Sequence, residues 1–184
     1  MRARAMCLSL CSLCAAPALA AGDRAQPVVA TVLVASQSKN RPEPTLAAGV
    51  IVNADGLVVT SHRSVADAVQ VWVYLFTADA RGEEDPDAYM RAHYRDAIKA
   101  TVRRSDAGSD LALLALPPRG AGYPTVDFAD SSHVREGELV VALGKGRGSL
   151  VWAGATTGTV SEVRGNALVN DASSSVCILD LQFL

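Results

Sequence analysis

Apolar and polar positions alternate over short distances along this chain. From residue 27 onward the apolar runs are brief, rich in Val, Leu, Ile and Ala, and bounded by Gly, Pro, Asn, Asp or Ser. That punctuation belongs to strands and turns. "PVVATVLVA" (27–35) predicts a buried strand with Pro at its entry, and "SQSKNRPEPT" (36–45) a polar loop. "AAGVIVNADGLVVTS" (47–61) divides into two apolar runs around Asn53-Ala54-Asp55-Gly56, a β-hairpin with Asp-Gly at its turn. Strands are also predicted at "AVQVWVYLF" (68–76), "IKATVRRSD" (98–106), "SDLALLALP" (109–117) and Leu139–Leu143. "VWAGATTGTVSEVR" (151–164) predicts a Gly- and Thr-rich strand pair, and the apolar "VCILDLQFL" fits one more strand. The charged stretch 77–97 is predicted to be an exposed insertion whose second half forms a short helix. Short strands with turns between them, and no sustained helical period, define an all-β barrel or sandwich.

Composition adds boundaries to this picture. The 184 residues suffice for one domain or two small ones. A hydrophobic content of 49% supports a real core, and 20% charged residues suit a globular protein. The formal net charge of −2 implies no nucleic-acid partner. There is no P-loop, no dinucleotide fingerprint and no paired Cys/His spacing, so no cofactor and no metal are expected.

The first 20 residues read differently. Arg2 and Arg4 precede an apolar stretch and Ala18-Leu19-Ala20, the pattern of a secretory signal peptide with its cleavage site. The apolar stretch is too short for a stable membrane span. Export, to the periplasm in the first instance, is the expectation. Cys7, Cys11 and Cys14 would leave with the leader, so Cys177 would have no partner for an internal disulfide.

Candidate chemistry lies in four segments. "AAGVIVNADGLVVTSHRSVADA" places a His two residues after Thr60, and "RRSDAGSDLALLAL" places Asp110 directly before an apolar strand. "VDFADSSHVREGELVVALGKGRG" and "WAGATTGTVSEVR" follow in the second half. In type and order these segments resemble the HtrA/Deg-like serine proteases of the trypsin fold. The resemblance implies a chymotrypsin-like double β-barrel. The first barrel spans 21–120 with the insertion 77–97, and the second, in 121–184, is partial.

It also implies a Ser-His-Asp site, in which a hydroxyl attacks, an imidazole takes its proton and a carboxylate holds the imidazole. Asp110 stands at the position of the orienting acid. The position of the base, three residues after Thr60, is occupied by Arg63, whose guanidinium has no lone pair to accept a proton. Arg63 is expected to pair with Asp110 instead. His62 is a displaced candidate base, one residue early; a shift of that size rotates a side chain by about 100° in a helical turn. The nucleophile segment of the family is glycine-rich, whereas "NDASSSVCILDLQFL" has no glycine. Ser174, within the run Ser173–Ser175, is the weak candidate nucleophile, and Cys177 a further thiol. His93 and His133 are expected at the surface.

Two function classes follow. One is a catalytically inactive family member that acts by binding an extended peptide or a protein partner. The other is a divergent serine endopeptidase using His62, Asp110 and a non-standard Ser.

Overall fold

The computed structural model describes residues 30–76, 86–128, 133–144, 154–164, 167–170 and 178–180. The signal-peptide reading, Ser173–Ser175 and Cys177 lie outside the described residues.

Six antiparallel strands close a barrel: β1 (Thr31–Ser38), β2 (Thr45–Ile51), β3 (Leu57–Ser61), β4 (Ala68–Leu75), β5 (Ile98–Asp106) and β6 (Leu111–Ala115). Their spatial order is β1-β2-β3-β6-β5-β4, with β4 returning to β1. Closure leaves none of these six strands at a sheet edge. Alternate side chains of each strand point inward. Val32, Val34, Ile51, Val58, Val73 and Leu114 fill the interior and are essentially inaccessible. Gly49 is required by that filling: a Cβ there would sit 2.9 Å from a Val58 methyl and 3.0 Å from one of Val34.

The β2–β3 hairpin turns at 53–56 as expected. Gly56 donates to the Asn53 carbonyl at 3.1 Å, and the Asn53 side-chain oxygen accepts from Leu57 N at 2.9 Å. Gly56 has φ 89°, a left-handed conformation that costs glycine little.

β1 reads as an unbroken apolar run because both of its faces are covered. Val32 and Val34 face the barrel interior, while Leu33 and Ala35 belong to a second cluster with Tyr74 and Tyr89. Tyr89 comes from a short helix in the 77–97 segment, here α2 (Pro86–Ala92). Its side chain is fully buried, and its hydroxyl donates to the Leu75 carbonyl at 2.7 Å. The segment expected to be an exposed insertion therefore has a buried side, with Tyr89 and half-buried Met90 packed on the outer face of β1 and β4.

A second, open sheet follows, in the order β10-β7-β8-β9: β7 (Leu139–Gly144), β8 (Gly154–Arg164), β9 (Ala167–Asn170) and β10 (Ile178–Asp180). Among the described residues, Val134, Val140 and Val160 cluster in its core. The strand pair expected at 151–164 is instead one long strand. β8 pairs with β7 through Thr159 and with β9 from Val160 onward, with an irregularity between Val160 and Glu162. β10, from the apolar tail, pairs antiparallel with β7 and covers its outer edge. The architecture is thus mostly β, one closed barrel and a partial second one.

Candidate active site

β3 ends at Ser61 and the chain turns at once into α1 (His62–Val65). This single helical turn is held from the inside. Val65 is buried in the barrel core, the Ser64 hydroxyl donates to the Ser61 carbonyl at 2.7 Å, and the Ser36 hydroxyl of β1 donates to the Ser64 carbonyl. His62 and Arg63 remain on the outer side.

Their backbone N–H groups open a helix and lack intrahelical partners. Asp110 satisfies both. Its carbonyl accepts from His62 N at 3.0 Å, and its Oδ1 accepts from Arg63 N at 3.0 Å. Asp110 has φ 54°, the one positive value at a non-glycine among the described residues. Aspartate tolerates that left-handed region better than most residue types.

The carboxylate then meets the Arg63 side chain. Nε donates to Oδ2 at 2.7 Å, and Nη2 lies 2.6 Å from the same oxygen. The hydrogen bond from Arg63 N is the largest influence holding the Asp110 carboxyl below its ordinary value. Partial burial opposes it, and the guanidinium's hydrogen bond and charge and the charge of His62 add to the depression. The expected pairing of Arg63 with Asp110 is present as a hydrogen-bonded ion pair.

His62 turns elsewhere. Its Nδ1 lies 2.5 Å from the Ser105 hydroxyl on β5, and no hydrogen bond joins the imidazole to the Asp110 carboxylate. Ser105 carries no motif in the sequence. Its position depends on an irregularity in β5 between Val102 and Arg104, which sets Ser105 opposite Ala112 instead of Leu111. Asp106 caps the following turn, accepting from Ser109 N at 3.0 Å, the Ser109 hydroxyl at 2.6 Å and Gly108 N at 3.4 Å. The Ser109 hydroxyl is the main cause of its lowered carboxyl pKa, followed by the two backbone donors.

His93 is not a plain surface residue. It stacks on Tyr89 with ring centroids 4.3 Å apart, and its Nδ1 lies 3.3 Å from Asp96. His133 is exposed. No group of three or more His, Cys, Asp and Glu able to hold a metal occurs among the described residues. None of the helices among the described residues is long and apolar enough to cross a membrane.

A closed barrel whose β3 leads into a helical turn, with an aspartate immediately before β6 facing that turn, is the first-barrel arrangement of the trypsin fold. Residues 47–181 match the trypsin-like peptidase domain, and the chain belongs to that family. Among its relatives is "Probable periplasmic serine endoprotease DegP-like" of Ectopseudomonas mendocina (strain ymp), 32% identical over 106 residues. That match covers 58% of this chain and 18% of the relative. The protein of the same name from Pseudomonas putida (strain ATCC 700007 / DSM 6899 / JCM 31910 / BCRC 17059 / LMG 24140 / F1) is 29% identical over 133 residues, covering 72% and 23%. "Serine protease HTRA2, mitochondrial" of Bos taurus is 33% identical over 96 residues, covering 52% and 17%. The chain thus spans about a fifth of the length of these relatives.

Proposed function

We propose that this protein is an exported member of the trypsin-like peptidase family that has given up peptidase turnover and acts by binding an extended peptide or protein segment. The observation that carries this reading is the Arg63–Asp110 ion pair. In a catalytic triad the carboxylate orients an imidazole and stabilises the imidazolium that forms. At Asp110 it faces a guanidinium, which carries its positive charge throughout and accepts no proton. In another serine protease, losing the base alone costs on the order of 10⁶ in kcat. From a typical rate of roughly 10 s⁻¹ that leaves about 10⁻⁵ s⁻¹.

Binding is supported by the open sheet. β9 and β10 end the order β10-β7-β8-β9, and Leu139, Val141 and Val163 are exposed on its strands. An extended segment adds to such an edge through main-chain hydrogen bonds. Export is supported by the leader-like first 20 residues and by the periplasmic relatives.

The rival reading, a divergent endopeptidase, requires His62 to serve as the base with Asp110 behind it. The His62 contact with Ser105 weighs against that geometry.

Fluorophosphonate labelling and hydrolysis of unfolded casein test the proposal. No labelling and no hydrolysis above background are expected. Labelling that is lost in a Ser173→Ala, Ser174→Ala, Ser175→Ala triple variant, together with casein cleavage, would establish the endopeptidase.

A further inference from the structure

Away from the Asp110 site, α2 and the turn after it flank β4 and β5 at a half-open cavity of about 300 Å3. Tyr74, Leu75, Tyr89, His93, Ile98 and Arg119 line it, with Asp96. Three of these residues carry polar groups that find no protein partner among the described residues. The Tyr74 hydroxyl belongs to a side chain only 9% exposed, yet donates to nothing there. Buried hydroxyls are ordinarily hydrogen-bonded, so an orphan beside a cavity points to a missing acceptor. Burial also pushes the Tyr74 pKa up, which keeps the hydroxyl protonated and a donor. Arg119 has no acidic partner there. His93 is anchored on one side only: its ring lies on Tyr89, and Nδ1 is engaged by Asp96 at 3.3 Å. That contact engages one oxygen of Asp96, the one carboxylate in the lining, and leaves Nε2 available.

We propose that this cavity is a binding site for a small aromatic carboxylate, with its carboxylate on Arg119 and the Tyr74 hydroxyl and its ring against Tyr74, Leu75 and Ile98. The ligand class follows from the lining. A guanidinium and a neutral hydroxyl both donate, and a carboxylate is the compact group that accepts from both. The Tyr74 ring is held edge-on against the buried Tyr89 ring, with centroids 6.5 Å apart and planes at 70°, which fixes the aromatic side of the cavity. Size agrees. An apolar cavity of roughly 150 Å3 takes benzene, so about 300 Å3 holds a ring with a carboxylate and a water or two.

This site lies in the first barrel and is independent of the Arg63–Asp110 pair, so it stands whether or not the chain is a peptidase. The test is a titration of the whole protein with phenylacetate, followed by NMR chemical shifts, with phenylacetamide as the uncharged control. Saturable binding with a dissociation constant on the order of 1 mM is expected, as suits a ligand of this size. Phenylacetamide should bind at least about tenfold more weakly, and Arg119→Gln should weaken phenylacetate by a similar factor. Tyr74→Phe should weaken it roughly fivefold while leaving the fold intact, as read from the thermal midpoint. Absence of a saturable shift up to ~20 mM phenylacetate would overturn the proposal. So would equal affinity for acid and amide, or an Arg119→Gln variant that binds as the parent does.

Discussion

At Asp110 three features of one residue cooperate: a left-handed backbone, a carbonyl that accepts from His62 N, and a carboxylate that accepts from Arg63. The side chain acts as a helix cap supplied from the turn before β6, and then as one half of an ion pair. The ion pair needs the charged form, and the cap is stronger with it. Unfolded, Asp110 takes up its proton near the ordinary value of 3.8, whereas folded it does so at lower pH. In that interval the unfolded chain binds more protons, so stability falls as pH falls. The contribution is fully present above the unfolded pKa and is lost through the depressed folded one. Asp110→Asn should lower the urea midpoint at pH 7 and flatten its decline below pH 3.8. Some decline should persist, because the Asp106 carboxyl is depressed as well. Arg63→Ala should also lower the pH 7 midpoint. Unchanged midpoints in both variants would mean that the pair holds nothing.

The elements show why some side chains were legible and others not. A strand covered on one face alternates, and one covered on both does not. The unbroken run in β1 announced burial, but which partner covered its outer face was not in the pattern. That partner is α2, whose charged sequence context reads as solvent-facing because only one side of it is buried. Tyr89 is the residue that settles the matter. Replacing it with Ala should cost about 3–5 kcal/mol, the range for losing a buried aromatic, read from urea denaturation. A change within about 0.5 kcal/mol, the range of ordinary surface substitutions, would make α2 an ornament rather than part of the fold.

For the whole molecule, the contrast lies between a closed barrel with an apolar interior and an open four-stranded sheet. Local stability follows burial and closure. Native-state hydrogen exchange should therefore protect β1 and β2 amides to the level of global unfolding. Amides of β8 and β9 should exchange through smaller openings. Equal protection of both halves would show that the two sheets unfold as one unit.

The order of strands, the Asp-Gly hairpin and the positions of Arg63 and Asp110 were all present in the sequence, because each depends on local spacing or residue type. The strand pair expected at 151–164 is one strand from Gly154, because pairing first to β7 and then to β9 keeps the chain extended through its glycines and threonines. The partner of Asp110 followed from a count of residues after Thr60. The destination of His62 did not, since it depends on the β5 irregularity that moves Ser105 by one place. The cavity beside Tyr74 was equally invisible, because its lining comes from β4, α2, β5 and the loop at Arg119, segments far apart in the chain. Sequence determines what lies within a few residues of itself and which faces must be buried. Register, bulges and the meeting of distant side chains arise only when closing the barrel brings those strands together.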